Sequence, residues 1–172
     1  MEYVQRNRYL DYLKRVKDKQ IIKVITGVRR CGKSVLMKLY ADELLAEGVK
    51  DEQLTFINFE DFEFYDLRDS KALYDYIVGR LRPDMMNYVF LDEIQHVSNY
   101  ADVVDALYIK SNVDLYITGS NAYLLSSEIA TLLSGRYVEM KLLPFSLKEY
   151  AFTVLAVLLR YFFDFYSGVE KM

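Results

Sequence analysis

The run of residues 27–34 combines the residue types that a phosphate-binding loop needs. It reads Gly-Val-Arg-Arg-Cys-Gly-Lys-Ser and matches the Walker A pattern in full. Glycines let the backbone curl so that successive N–H groups point at phosphate, and the helix that follows adds its positive end. Lys33 can reach the β- and γ-phosphates, and the Ser34 hydroxyl can ligate Mg²⁺. A simple glycine-rich turn would not explain why lysine and serine follow the second glycine. The predicted nucleotide contacts are Gly27, Val28, Arg29, Arg30, Cys31, Gly32, Lys33, Ser34 and Val35.

A pair of carboxylates closes a strongly apolar run at residues 88–93. A buried strand over this run would carry Asp92 and Glu93 to its tip. Asp92 can hold Mg²⁺ directly or through water, and Glu93 can orient or deprotonate an attacking water. Adjacent acids after a strand are common, but downstream of a Walker A loop they indicate a Walker B motif. The second acid favours a water nucleophile, and hence hydrolysis, over phosphate transfer to a small acceptor.

A third apolar run, 115–121, ends in the polar residues Ser120 and Asn121. In ring-forming P-loop ATPases a polar side chain at this place, called sensor 1, contacts the γ-phosphate and the attacking water. Both residues are candidates, and we favour Asn121. The alternative is a Gly-Ser-Asn turn in which Asn121 caps the next helix. The predicted catalytic residues are therefore Glu93, Lys33 and Asn121, and the predicted metal ligands are Ser34 and Asp92.

Arginines near these motifs have a functional and an ordinary interpretation. Arg136 is a candidate finger that neutralises charge on a neighbouring subunit's nucleotide, or else a plain surface residue. Arg29 and Arg30 are expected to pair with acidic residues farther along the chain, such as Glu60 and Asp61.

These motifs need an alternating arrangement of strands and helices to position them. Apolar runs and helical periodicity predict strands at 21–26, 54–59, 88–91, 115–118 and 137–142. Helices are predicted at 6–19, 34–46, 70–81, 100–109 and 122–133, with Ser70 placed to cap the third. This alternation predicts an α/β fold with a parallel sheet covered on both faces. Gly27, Asp92 and Gly119 each follow a predicted strand, so we expect them to meet at one edge of the sheet.

Composition and charge fit a single intracellular domain. The 172 residues are 52% hydrophobic and carry a net charge of −3, which gives no global attraction for nucleic acid. One cysteine, Cys31, excludes a disulfide framework, and no leader or apolar stretch of about 20 residues is found, which predicts a cytoplasmic protein. A basic N-terminal cluster predicts either a solvated helix face or a nucleic-acid patch; it comprises Arg6, Arg8, Lys14, Arg15, Lys17, Lys19 and Lys23.

Longer blocks of sequence resemble a group of prokaryotic AAA+ superfamily ATPases. In that group an AAA domain precedes a C-terminal domain of unknown, often nuclease-like character. The resemblance covers about residues 6–150. It rests on the Walker A run and on Asn-Phe-Glu-Asp, Phe-Leu-Asp-Glu-Ile-Gln, Thr-Gly-Ser-Asn, Leu-Leu-Ser-Gly-Arg and Leu-Pro-Phe-Ser-Leu-Lys-Glu-Tyr, at 58–61, 90–95, 118–121, 132–136 and 143–150.

The resemblance implies a P-loop NTPase three-layer sandwich with a central parallel sheet of strand order 5-1-4-3-2. It also implies that the Walker B strand lies beside the P-loop strand, with the sensor 1 strand next. ATP and Mg²⁺ are the implied cofactors, with the roles given above for Lys33, Ser34, Asp92 and Glu93.

The resemblance ends before the C-terminus. Residues 1–150 are predicted to form the ATP-binding core with its basic N-terminal helix, and residues 151–172 an apolar, Tyr- and Phe-rich tail. Because the resembled proteins continue for a further domain or two, we expect a truncated product whose tail is a remnant. The helical lid that normally closes over adenine then has no clear counterpart. Turnover is therefore expected to be slow or dependent on a partner.

Other functions stay open at this point. A non-catalytic nucleotide switch or relic would retain ADP and release no phosphate. A P-loop kinase would need an arginine-bearing lid and an acceptor pocket, for which the sequence has no signature. A DNA-binding ATPase would use the basic N-terminal helix. Candidate partners are thus ATP or ADP, a second copy of the chain and DNA, with no membrane association.

Overall fold

The computed structural model describes residues 6–119 and 133–145, which fold as alternating strands and helices. The strands are β1 (Ile22–Gly27), β2 (Leu54–Asn58), β3 (Asn87–Asp92), β4 (Val113–Gly119) and β5 (Tyr137–Leu142). The helices are α1 (Asn7–Val16), α2 (Lys33–Ala46), α3 (Ser70–Val78) and α4 (Tyr100–Tyr108). Short 3-10 helices occupy Asp51–Gln53, Phe62–Arg68 and Ile94–His96. The helix predicted over 122–133 lies outside the described residues but for its last position.

The strands form one parallel sheet of order β2-β3-β4-β1-β5. Viewed from the other edge this is the predicted order 5-1-4-3-2, so the predicted fold class is confirmed. β1, β3 and β4 are buried along their whole length, whereas β2 and β5 are only partly buried. This burial difference is expected, because central strands of a parallel sheet are covered on both faces and edge strands are not.

The prediction that the Walker B strand lies beside the P-loop strand was wrong. β1 pairs with β4 and β5, and β3 pairs with β2 and β4, so β4 separates the Walker B strand from the P-loop strand. The cause is the crossover after β3. The chain returns through α4 and inserts β4 between two strands that precede it in sequence, which local sequence pattern does not reveal.

Successive residues along each strand face different helix layers, as the two-residue period of a strand requires. Ile22 and Val24 of β1 pack in a core with α3 and α4, whereas Ile25 packs in a second core with α1 and α2. The rings of Phe56, Phe90 and Tyr116 stack across the second core, and Tyr40 packs edge-on against Phe90 and tilted against Tyr116. The sheet with its two helix layers is the predicted three-layer sandwich. None of the described helices is long and apolar enough to cross a membrane.

The cap of α3 is one residue earlier than predicted. Asp69, not Ser70, accepts a hydrogen bond from the Ala72 N–H at 2.8 Å. Asp69 has an extended backbone (φ −81°, ψ 130°), which a capping residue needs, whereas Ser70 is already the first helical residue. Two adjacent good caps cannot be ranked without this backbone information.

A buried ion pair joins β1 and β4 beneath α1. Lys23 and Asp114 are each 1% exposed, and their side chains contact directly. The Lys23 ammonium also donates to the Lys19 carbonyl at 2.7 Å, and Asp114 accepts from the Asp18 N–H and the Tyr116 hydroxyl at 2.8 and 2.9 Å. Burial raises the pKa of the Asp114 carboxyl and lowers that of the Lys23 ammonium. Lys23 is therefore a core residue and not part of a basic surface.

Replacing Lys23 by methionine should destabilise the fold, because the Asp114 carboxylate would be left buried without its countercharge. We expect a loss of about 3–5 kcal/mol in the free energy of unfolding, measured by urea titration. The loss should shrink as the pH falls, since protonation removes the unpaired charge of an acid whose folded-state pKa is raised. The double variant Lys23→Met/Asp114→Asn should recover part of the stability. A variant as stable as wild type would refute the role assigned to the pair.

Candidate nucleotide-binding site

The phosphate-binding loop connects the end of β1 to the start of α2. Its backbone turns through two left-handed residues, Arg30 (φ 66°) and Gly32 (φ 95°). The Cys31 N–H donates to the Val28 carbonyl at 3.2 Å, which closes the turn. Gly32 is the N-cap of α2, and its carbonyl accepts from the Leu36 N–H at 2.9 Å. The loop thus lies across the N-terminus of a helix, where backbone N–H groups and the helix dipole favour an anion.

Glycine is required at the first position of the loop for lack of space. A Cβ on Gly27 would lie 2.5 Å from the Leu142 carbonyl oxygen and 2.6 Å from the Cys31 sulfur. Cys31 itself is 4% exposed, and burial raises the pKa of its thiol. A buried thiol with a raised pKa is poorly reactive. Cys31 therefore fills the space between the loop and β5.

Lys33 folds back over the loop and reaches the Walker B carboxylate. The side chain is nearly buried, and its Nζ lies 3.1 Å from Glu93 Oε1 and 3.5 Å from the Gly27 carbonyl. Glu93 has a left-handed backbone (φ 56°, ψ 49°), which is uncommon for a non-glycine residue and is found at functional sites. Its second oxygen accepts from Gln95 Nε2 at 2.6 Å. Lys33 and Gln95 therefore hold the Glu93 carboxylate from two sides.

Asp92 is the most buried acid of the site. It is 0% exposed, and burial raises the pKa of its carboxyl, while the hydroxyls of Ser34 and Thr118 act in the opposite direction. Thr118 donates to Oδ1, whereas Oδ2 has no hydrogen-bond partner among the described residues. A buried carboxylate oxygen without a partner is costly unless a ligand completes it. Asp92 Oδ2 and the Ser34 hydroxyl are hard oxygen donors of the kind that Mg²⁺ prefers.

Thr118 is a site residue that the sequence interpretation missed. Its hydroxyl donates to Asp92 Oδ1 and accepts from the Glu93 N–H at 2.9 Å, so one side chain fixes both Walker B residues. In the sequence Thr118 is only a threonine near the end of β4. It indicates a contact with the Walker B residues only once β4 is known to lie beside β3. The sequence interpretation had instead chosen Ser120 and Asn121, which lie outside the described residues.

The other predicted residues are more distant from this centre. Arg29 pairs with Glu60 at 3.8 Å, as expected, but both side chains are exposed and such pairs contribute little. Arg136 contacts Asp105, and its carbonyl accepts from the Ile22 N–H at the start of β1. This is the N-terminal end of β1, whereas the loop follows its C-terminal end, roughly 17 Å away along a six-residue strand. Arg136 therefore lies too far from the loop of its own chain to contact a nucleotide there.

Comparison with known proteins places the chain in a family and finds two relatives. Residues 19–151, more than half of the chain, match a family model described as "AAA domain". An uncharacterized protein of Haemophilus influenzae is 46% identical over 148 residues, which cover 86% of this chain and 37% of the relative. An uncharacterized protein of Methanocaldococcus jannaschii is 36% identical over 129 residues, covering 75% of this chain and 28% of the relative. The chain therefore spans only 37% and 28% of the lengths of these two curated relatives.

Solved structures agree on the fold. Caenorhabditis elegans PCH-2 aligns over 81% of this chain and 42% of its own, with a TM-score of 0.51 and 21% identity. A DNA polymerase III gamma subunit-related protein from Thermotoga maritima aligns over 77% of this chain and 45% of its own, with a TM-score of 0.54 and 16% identity. A structure of Drosophila ORC bound to AT-rich DNA and Cdc6 gives a TM-score of 0.53 at 12% identity, over 84% of this chain and 57% of that one.

At 12–21% identity, the three solved structures share the fold of this chain but say nothing of its substrate. The resemblance inferred from the sequence blocks is confirmed. The chain belongs to the AAA domain family of AAA+ P-loop proteins.

Proposed function

We propose that the chain binds Mg²⁺-ATP and hydrolyses it, slowly or with the help of a partner. The observation that carries the proposal is the meeting of Lys33, Asp92 and Glu93 at one loop. The Thr118 hydroxyl there donates to the Asp92 carboxylate and accepts from the backbone N–H of Glu93. A structural turn would need none of these buried charges. The left-handed backbone of Glu93 and the unpartnered Oδ2 of Asp92 are likewise costs that a ligand site justifies.

Binding is proposed to begin at the loop. The backbone N–H groups of residues 27–34 and the N-terminus of α2 would surround the phosphates, and the Lys33 ammonium would neutralise their charge. Ser34 and Asp92 would hold Mg²⁺, which when bound stabilises negative charge on the phosphate oxygens. These contacts require no movement of β1 or β3, because Asp92 is already fixed by Thr118.

Lys33 must exchange partners for this to happen. In the structure its ammonium is 3.1 Å from Glu93 Oε1, and a bound γ-phosphate would compete for it. Once Lys33 turns to phosphate, Glu93 Oε1 is free to accept a proton from water, while Gln95 still holds Oε2. The water oxygen then bonds to the γ-phosphorus as the bond to the ADP oxygen breaks, giving ADP and phosphate. Asn121 is proposed to contact the γ-phosphate and the water, as sensor 1 residues do.

A second copy of the chain is the proposed source of the arginine that would neutralise the charge developing on the γ-phosphate. Arg136 lies at the N-terminal end of β1, away from the loop at its C-terminal end, so it would act only on the nucleotide of a neighbouring copy. Its side chain would first have to leave Asp105. An arginine finger supplied in this way is worth roughly 10³–10⁵ in rate in related systems. Slow turnover of the isolated chain would follow.

The proposal does not extend to DNA. Arg6 and Lys23 of the basic cluster are buried, Lys14 pairs with Glu43 of α2, and Lys17 pairs with Glu47, which follows α2 directly. The exposed residues of the cluster on and after α1 are Arg8, Lys14, Arg15 and Lys19, and so few cations give no continuous basic face. The DNA bound to Drosophila ORC is a ligand of that complex, and a fold shared at 12% identity does not transfer it to this chain.

Replacing Lys33 by alanine should abolish measurable binding of Mg²⁺-ADP and Mg²⁺-ATP, because the loop loses the ammonium that is proposed to neutralise the phosphates. Calorimetric titration measures this, and thermal unfolding of the same sample verifies that the variant is folded. Lys38→Ala, at an exposed position of the same helix, is the matched control and should bind like wild type. Unchanged affinity in Lys33→Ala would contradict the proposed site.

Replacing Glu93 by glutamine should preserve nucleotide binding and reduce phosphate release by roughly 10²-fold or more, as expected for loss of a general base. Steady-state phosphate release is the measurement, with Glu63→Gln, an exposed acid, as control. If wild type instead keeps stoichiometric ADP and releases no phosphate, the chain is a non-catalytic nucleotide switch. Equal release by wild type and Glu93→Gln would exclude Glu93 as the base.

Replacing Thr118 by valine removes the hydroxyl that joins Asp92 and Glu93 while keeping the shape of the side chain. Because hydrogen bonds to charged groups contribute about 1.5–3 kcal/mol, we expect phosphate release to fall by about tenfold or more. Affinity for ADP measured without Mg²⁺ should change little. Thr118→Ser retains the hydroxyl and should recover most of the activity. A valine variant as active as wild type would show that the two hydrogen bonds are incidental.

A further inference from the structure

Arg6, at the start of α1, is buried against the phosphate-binding loop rather than exposed with the other basic residues. Its side chain is only 6% exposed. One guanidinium nitrogen donates to the Cys31 carbonyl at 3.2 Å, and another donates to the Leu143 carbonyl at 2.8 Å. The guanidinium carbon lies 4.6 Å from the centre of the Tyr9 ring and 5.2 Å from that of Phe145. Arg6 therefore joins the loop to the segment that follows β5.

The contact with Cys31 fixes the direction of a peptide group inside the loop. In a trans peptide the C=O and the following N–H point in opposite directions, and the described chain has no cis peptide. Because the Cys31 carbonyl points at Arg6, the Gly32 N–H points away from it. The loop needs such N–H groups on its inner side to bind phosphate. A peptide flip would turn a carbonyl oxygen toward the phosphates instead.

This peptide has little else to hold it. It joins Cys31 to Gly32, and Gly32, which is left-handed here (φ 95°), adopts either hand readily. A Cβ at Gly32 would meet nothing within 4 Å, so neighbouring atoms do not restrict that residue. The guanidinium is held in turn by the Leu143 carbonyl and by the Tyr9 and Phe145 rings. Its planar fork can bond two carbonyls at once, which the point charge of lysine does less well.

We propose that Arg6 is a positioning residue for nucleotide binding, which acts through the Cys31 carbonyl to keep the Gly32 N–H directed at the phosphates. The same side chain ties the loop to Leu143, where the chain leaves β5. This inference rests on the proposed nucleotide site but assigns a role to a residue outside its motifs. Arg6 acts on the phosphate chain and not on the base.

The test compares Arg6→Lys and Arg6→Met with wild type, using Mg²⁺-ADP and inorganic tripolyphosphate as ligands in calorimetric titrations. Both variants should bind both ligands more weakly, by about tenfold, the range expected when a hydrogen bond to a charged group is lost. The factor should be the same for the two ligands, because only the phosphate contacts change. Arg8→Met, an exposed change on the same helix, should bind like wild type.

Other outcomes separate this inference from the proposed function. No binding by folded wild type would reject the nucleotide site itself. Wild-type affinity for tripolyphosphate in Arg6→Lys, with or without a lower unfolding temperature, would reject the positioning role and leave Arg6 a structural residue. Weaker binding of Mg²⁺-ADP alone would also reject it, because the effect would then lie at the base. If Arg6→Met does not fold, Arg6→Lys decides the matter.

Discussion

The buried carboxylate of Asp92 is the constraint on which the site depends. An acid that is 0% exposed at the end of a central strand is costly, and the hydroxyls of Ser34 and Thr118 offset only part of that cost. The remaining oxygen has no described partner, and burial raises the pKa of the group. Everything around it follows from parallel strands ending together: β1 delivers the phosphate loop, β4 delivers Thr118, and β3 delivers Asp92 and Glu93.

The Lys33–Glu93 contact explains how such a site is stable without ligand. Each side chain is nearly buried, and each supplies the countercharge that the other needs. Under the proposed function, a nucleotide that takes Lys33 would remove the countercharge of Glu93 in the same step, so that binding itself would prepare the proposed base. The buried guanidinium of Arg6 is likewise satisfied within the protein, by the carbonyl of Cys31 in the loop and that of Leu143 just after β5. Lys33, Glu93 and Arg6 are thus satisfied by groups of the protein itself, whereas Asp92 keeps one oxygen without a described partner.

Much of this arrangement could be predicted from local sequence, and the rest depends on contacts between distant segments. Apolar runs and helical periods located the described strands and most helix ends to within a few residues, because burial and period are written in consecutive residues. The Walker motifs indicated Lys33, Ser34, Asp92 and Glu93 for the same reason. Thr118 was missed because its role exists only when β4 borders β3. Lys23 and Arg6 were counted as surface charges because their partners, Asp114 and the Cys31 and Leu143 carbonyls, are far away in sequence.

The central claim, that Asp92 and Ser34 complete a Mg²⁺-nucleotide site, is tested most directly through the metal dependence of binding. Affinity for the non-hydrolysable analogue AMP-PNP would be measured by calorimetry, with Mg²⁺ and with EDTA, in wild type and in Asp92→Asn. The account predicts that Mg²⁺ tightens binding to wild type and that this gain is lost in Asp92→Asn, while the affinity in EDTA is similar for both. A wild type that is indifferent to Mg²⁺, or an Asp92→Asn variant that keeps the full gain, would contradict it.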